Sequence, residues 1–235
     1  IECHDICCKV GDIVVVGGVR RSALISLSNL SDDRMRIAKS GNWWELNGQR
    51  ALANNSACYT ETPDMAQFIS EWQALYLSHS GERGIFNRTA AKKFSPERRD
   101  TDWEFGTNPC SEIVLRPNQF CNLSEVIVRP KDTLKDLKYK VEIATIIGTM
   151  QATLTDFRYL RSSWKKNTEE EALLGVSLTG IMDHQTLSTC KDITKKWLRE
   201  MRDVAIVTNE TWAHKLGVNP STAITCVKPS GTVSQ

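Results

Sequence analysis

The chain has 235 residues, enough for one large domain or two small ones with a sizeable buried core. Its 40% hydrophobic and 25% charged content excludes a disordered chain, and a net charge of +2 leaves no basic footprint for nucleic acid or a membrane surface. Eight cysteines are too few for a disulfide scaffold, and no segment approaches the roughly 20 apolar residues of a membrane span or the layout of a signal peptide.

We therefore expect a soluble, cytoplasmic chain with reduced thiols. It begins at Ile1 and stops inside a glycine-containing loop, so it is expected to be a fragment of a longer protein, truncated at both ends. The fold expected from the pattern is mixed α/β in one continuous domain, residues 1–235, because strands are separated by long helical segments.

Near the start, "CHDICC" at residues 3 to 8 is either the beginning of a metal clip or a set of buried or strand-borne thiols. No second pair at zinc-like spacing follows, and His79, His184 and His214 are scattered, so no metal is expected. Residues 12 to 28 read as strand, glycine turn, strand, broken at Gly17-Gly18. Beside that break Arg20 and Arg21 either meet phosphate or are two solvated arginines of a hairpin.

"SDDRMRIAKS" predicts a short helix with Ser31 or Asp32 as N-cap. In the next helix Phe68, Ile69, Trp72, Leu75 and Tyr76 recur at helical spacing as an expected core face, and Gly81 lies beyond its end. "PKDTLKDLKYKVEIATIIGTMQATL" predicts a capped helix buried on several sides. A helix start at "NTEEE" is followed by Gly175 and Gly180 in an apolar strand or loop. An amphipathic helix then ends near Gly217, and a strand and turn close the chain.

The stretch that carries chemistry is "TNPCSEIVLRPNQFCNLSEV", residues 107 to 126. If it is extended, Asn108, Cys110 and Glu112 share one face. A nucleophilic thiolate is favoured by nearby positive charge, and Glu112 supplies the opposite, which speaks against a cysteine hydrolase. A neutral thiol acting as hydrogen-atom carrier, a carboxylate base and an amide that orients a hydroxyl suit radical chemistry on adjacent hydroxyls. Taken alone, the motif is also that of a buried cysteine on a strand.

Six segments in order resemble the ribonucleotide reductases. "NPCSE" followed by "CNLSE" is similar to their thiyl-radical finger. "GGVRRSALISLS" is similar to their glycine-arginine loop, "RALANNSACY" and "SGERGIFNR" to substrate-barrel segments, "LLGVSLTGIMD" to a barrel strand region and "KPSGTVSQ" to the substrate-phosphate loop. The wording is closest to the monomeric class that depends on adenosylcobalamin and reduces ribonucleoside triphosphates.

The resemblance implies part of a ten-stranded α/β barrel, with a central finger loop at residues 107 to 113 carrying the radical cysteine. It implies that Cys110 forms the thiyl radical, that Glu112 is the base, that Asn108 holds the ribose hydroxyls and that Cys121 is one member of a redox-active pair. It assigns substrate contacts to Asn54, Asn55, Ser56 and to Pro229, Ser230, Gly231, Thr232, Val233 and Ser234. It also makes Gly17, Gly18, Val19, Arg20 and Arg21 a specificity loop.

Adenosylcobalamin is the implied cofactor. A ribonucleoside triphosphate substrate, a dNTP effector of an allosteric enzyme and a thioredoxin-like reductant are the implied partners, in deoxyribonucleotide synthesis for DNA replication. The alternatives are the large subunit of an iron-dependent reductase of diphosphates and, from another class, a nucleotide-binding module without catalysis. No partner for Cys121 is assigned.

Overall fold

In a computed structural model the described residues are 1–14, 22–79 and 81–228. They form two compact units, one of residues 1–94 and 104–114, the other of residues 95–103 and 115 onward.

The first unit is built on three parallel strands in the order β1 (Leu24–Ser28), β2 (Ala53–Tyr59), β3 (Gly84–Asn87), with Leu24 opposite Ala53 and Ser56 opposite Gly84. Parallel strands are buried on both faces, and β2, the middle one, is accordingly buried at every position but Asn54. Helix α1 (Glu2–Asp12) precedes the sheet. The thiols of residues 3 to 8 are therefore helix-borne and not strand-borne, and Asp12 ends a helix where a strand was expected to begin. Acidic Glu2 and Asp5 in the first turn and Lys9 in the last suit the helix dipole.

The short α2 (Asp33–Arg36) has the expected N-cap, Asp32, whose side chain accepts from Met35 N–H at 3.0 Å. It is followed by α3 (Trp43–Leu46) and a 3₁₀ turn, Gly48–Leu52. In α4 (Met65–Ser78) the expected core face is a surface face of this chain: Ile69, Trp72 and Tyr76 are exposed. The helix instead buries Glu71, because that carboxylate is gripped by Arg83 (Nε 2.6 Å, Nη2 2.8 Å) and by Arg36 Nε at 3.0 Å. Burial by itself would push the Glu71 carboxyl up, and the two guanidiniums outweigh it and hold it below its usual range. Asn87 caps α5 (Arg88–Lys93) by accepting from Ala90 N–H. Two short strands, β4 (Gly106–Thr107) and β5 (Val114–Leu115), form a hairpin that carries the finger.

The second unit pairs β6 (Asn122–Ile127) in parallel with β7 (Leu174–Thr179), Asn122 opposite Leu174, and Thr225 adds a bridge to Val176. Three helices accompany the strands: α6 (Leu134–Gln151), α7 (Ser162–Glu171) and α8 (Asp192–Leu216). Helix α6 begins with a capping box between Thr133 and Asp136. It is buried along one face, through Leu137, Val141, Ala144 and Gly148, while Ile143, Ile147 and Met150 are exposed, so it is not buried on several sides.

Leu137, Val141 and Ala144 join Val126, Leu174, Val176, Met201 and Ala205 in one core, each fully buried large side chain contributing about 1.5–3 kcal/mol. Gly217 ends α8 in the left-handed conformation (φ 70°). Gly180 turns the chain after β7 at φ 74°, where a Cβ would lie 2.7 Å from the carbonyl oxygen of Val128. Among the described residues no helix is long and apolar enough to cross a membrane.

Candidate active site

The finger is a tight turn. Ser111 N–H donates to Asn108 O (2.9 Å), with Pro109 at the second position, where its fixed φ is pre-set for such a turn. Asn108 N–H donates to Ile113 O at 3.2 Å, and Asn108 Oδ1 accepts from Ile113 N–H at 3.0 Å, so both strands of the hairpin close on one asparagine. Ser111 sits at φ 66°. Alternate side chains share a face only along an extended chain, so the expected alignment of Asn108, Cys110 and Glu112 does not arise from strand alternation here. The turn puts Cys110 at the exposed apex, with Asn108 and Glu112 half-buried on either side.

The finger is held at both ends within its unit. At the base, Arg88 donates from Nε to Phe105 O (2.7 Å) and from Nη1 to Glu104 (2.7 Å). At the apex, Asn54 of β2 donates from Nδ2 to Pro109 O at 2.6 Å.

Beside the apex lies a predominantly polar hollow of about 400 Å³, between the end of α1 (Gly11, Asp12), the start of β1, Leu52 just before β2, Asn54 within it, and Pro109–Cys110. That size is within the range of small-molecule sites. A second hollow, of about 370 Å³ in the other unit, is lined by apolar side chains such as Val141, Leu178 and Met201 and brings no carboxylate or amide to its thiol, Cys226. The first hollow is the more polar of the two, and the charged side chain in its lining is Asp12.

Of the expected site residues, Cys110 and Asn54 meet at this hollow. Strand alternation turns Asn55 the other way: it is buried, its Oδ1 lies 3.0 Å from His4 Nε2, and its backbone N–H donates to Glu82 Oε2 at 2.9 Å. Ser56 is buried beside Gly84. Cys121 belongs to the second unit, half-buried immediately before β6. Gly17, Gly18, Val19, Arg20 and Arg21 lie outside the described residues, as do Pro229, Ser230, Gly231, Thr232, Val233 and Ser234.

The contribution of α1 to the hollow was missed from sequence. The signal for that helix was present in its acidic first turn and in Lys9, followed by Asp12 at 3.1 Å. Burial pushes the Cys8 and Cys58 thiols up and keeps them protonated. Cys110 is exposed, as are Cys3 and Cys7 on α1.

As a chemical arrangement, the hollow offers an accessible thiol on a braced turn. Asn108 commits its Oδ1 to the turn and retains Nδ2 as a donor.

No family model matches the chain. It is 30% identical to an adenosylcobalamin-dependent ribonucleoside-triphosphate reductase of Lactobacillus helveticus (strain DPC 4571) and 28% identical to that of Lacticaseibacillus paracasei (strain ATCC 334), in each case over 100% of this chain and 34% of the relative. The crystal structure of a B-12 dependent (class II) ribonucleotide reductase superposes with a TM-score of 0.73 at 25% identity, covering 99% of this chain and 35% of that one. The Actinobacillus ureae class Id ribonucleotide reductase alpha subunit shares the fold alone, with a TM-score of 0.59 at 14% identity over 89% of this chain and 46% of that one. The chain spans about a third of the length of the reductases it matches first. Over all of its residues, the chain is homologous to part of the adenosylcobalamin-dependent ribonucleoside-triphosphate reductases, and its mixed α/β fold corresponds to part of the class II barrel.

Proposed function

We propose that this chain is part of the catalytic barrel of an enzyme that reduces ribonucleoside triphosphates to 2′-deoxyribonucleotides by thiyl-radical chemistry. The observation that carries the reading is Cys110, an exposed thiol at the apex of a braced hairpin beside a polar hollow, in a chain homologous to such reductases throughout.

As a thiyl radical, Cys110 takes the 3′-hydrogen of the ribose as an atom and becomes a thiol. Glu112 accepts the 3′-hydroxyl proton, and Asn108 donates from Nδ2 to hold a ribose hydroxyl. A general base must sit within hydrogen-bond reach of its proton, and the place of Glu112 on the flank of the same turn supports that role. The 2′-hydroxyl leaves as water. Cys121 and a second thiol supply two electrons and two protons, one proton to the departing water and one hydrogen to the 2′ carbon, and become a disulfide. Glu112 returns its proton to the 3′ oxygen, and the hydrogen atom returns from Cys110 to the 3′ carbon. A thioredoxin-like protein would restore the dithiol.

On β2, Asn54 borders the hollow whereas Asn55 and Ser56 are buried and do not line it, and Pro229 to Ser234 are proposed for the substrate's phosphates through backbone N–H groups and hydroxyls. Gly17 to Arg21 would form the specificity loop that answers to a dNTP effector. In the whole protein both units would belong to one catalytic domain, working in the cytoplasm.

Adenosylcobalamin is the proposed cofactor, and its fit is tested at Cys110. An exposed apical thiol is open to a hydrogen-atom acceptor too large to enter a hollow of about 400 Å³. When bound, the cofactor supplies the radical that a thiol relays. What this chain contributes is the position of that thiol and a polar wall for the substrate.

The test uses the complete protein, purified free of metal-bearing subunits. Reduction of a ribonucleoside triphosphate is measured with and without adenosylcobalamin, beside Cys110→Ser. Turnover that requires the cofactor and is abolished in the variant is the expected result. Turnover only on adding an iron-loaded partner subunit would move the protein to the iron-dependent class. Nucleotide binding without any turnover would make it a binding module, and turnover that survives Cys110→Ser would remove Cys110 from its role.

A further inference from the structure

We propose that Asn54 is a positioning residue, which fixes the peptide that carries Cys110 and acts on the finger in place of the substrate. This rests on the reading of Cys110 as the reacting thiol.

The bonds within the turn close on Asn108, Ser111 and Ile113. Among the described residues, the carbonyl of Pro109 is held by Asn54 Nδ2, at 2.6 Å. That carbonyl belongs to the peptide joining Pro109 to Cys110, so its direction sets where the thiol leaves the backbone. A proline at 109 fixes one torsion of the turn but donates no hydrogen bond. The remaining freedom of the apex is rotation of this one peptide, and a side chain from outside the turn restrains it.

Asn54 is well placed to do so because it is itself fixed. It stands on the middle strand of a parallel sheet, opposite Ile25 of β1. The next residue is anchored through its backbone to Glu82 and through its side chain to His4. Alternation sends Asn55 to that anchor and Asn54 to the finger. A short amide on a rigid strand gives the apex a fixed reference. Ser56 lies two residues on and packs against Gly84.

The experiment compares wild type, Asn54→Asp and Asn54→Ala in the intact protein. Asn54→Asp keeps the size of the side chain and removes the donor, so it separates the bond from the packing. Hydrogen exchange is followed on the peptide that spans residues 108 to 113. Loss of one neutral hydrogen bond is expected to speed exchange there by about fivefold in both variants, with β1 and β6 unchanged.

In turnover, kcat is expected to fall between about tenfold and a hundredfold with KM changed less than about twofold, because a displaced reacting group loses alignment and not affinity. Unchanged exchange over residues 108 to 113 would overturn the proposal. So would a KM that rises while kcat is retained, since that is the signature of a substrate contact. Exchange is read whether or not the protein reduces nucleotides. Faster apex exchange in a protein that has no reductase activity would keep Asn54 as the brace of the finger while the proposed reaction fails.

Discussion

Glu171 offers a direct test of what organises the second unit. It is fully buried at the end of α7, and its carboxylate accepts from Arg99 Nε (2.9 Å), Arg99 Nη2 (2.8 Å) and Gln119 Nε2 (2.7 Å), with Arg116 Nη2 at 3.2 Å. Arg116 also keeps Glu170 at 3.0 Å and stacks over Trp103 at 4.6 Å. The main loss in Glu171→Met therefore falls on Arg99, whose side chain is 3% exposed and which forfeits both bonds to that carboxylate. Removing one partner of a buried ion pair costs about 3–5 kcal/mol. With a urea slope of about 2 kcal/mol per molar, a loss of about 4 kcal/mol lowers the midpoint by about 2 M. The double variant Arg99→Met with Glu171→Met removes both charges and keeps much of the volume, so it is expected to recover most of that loss. A single variant whose midpoint moves by less than about 0.5 M would refute the reasoning, as would a double variant no better than the single.

Three further outcomes follow from the same structure. The Arg50 guanidinium beside Asp5 (2.7 and 2.6 Å) holds its carboxyl at about 2, below its ordinary 3.8. A depressed carboxyl stabilises the fold above its ordinary value and loses that contribution as the pH falls through the folded one. Asp5→Asn should therefore be less stable than wild type by about 1 kcal/mol at pH 6, the gap closing between pH 4 and 2 in urea titrations; a constant gap would count against the pair. Gly180→Ala should cost about 2–4 kcal/mol, for left-handed strain plus the contact with Val128 O, whereas Gly217→Ala, at φ 70° with nothing within 4 Å, should cost only about 1–2. Equal losses in thermal unfolding would dismiss the Val128 contact. Cys110→Ser lies at an exposed apex and should change stability by less than about 0.5 kcal/mol, so any loss of turnover would be chemical; a midpoint that falls clearly further would place the thiol in the packing.

What could be read from sequence followed from local rules. Asp32 and Gly217 stand where a helix end was expected, and Thr133 with Asp136 supplies the cap of a helix expected to be capped, since capping depends on a few neighbouring residues. The finger was legible as a motif and its conformation was not: whether residues 108 to 112 extend or turn is decided by Asn108 bonding to Ile113, a contact between two sides of a loop. Helix α1 is not legible in the thiol cluster "CHDICC", because its pairing of Asp5 with Arg50 spans a gap that periodicity does not see. On α4 the apolar spacing was real, but which face turns inward was set by Glu71 and two distant arginines. The brace from Asn54 to Pro109 is likewise a contact between remote segments.

The two units share a device that bears on why the candidate site holds its shape. In the first, Glu71 lies between Arg83 and Arg36, and Arg83 also donates to Ser28 Oγ at 2.6 Å, where β1 ends. In the second, Glu171 lies between Arg99 and Arg116, and its bond from Gln119 fixes the chain that enters β6. Each buried carboxylate thus meets the ends of parallel strands and not their middles. Apolar packing of the same volume would be as stable or more so, which makes net stability a poor reason for these ions. They do supply direction: a guanidinium that donates two N–H groups holds a carboxylate in one geometry, whereas apolar side chains slide. A slip of one residue in β2 would turn Asn54 away from the finger and bring Asn55 towards it. An ion hub that fixes where β1 ends and β3 begins holds β2 between them in register, and so holds the donor that braces Cys110.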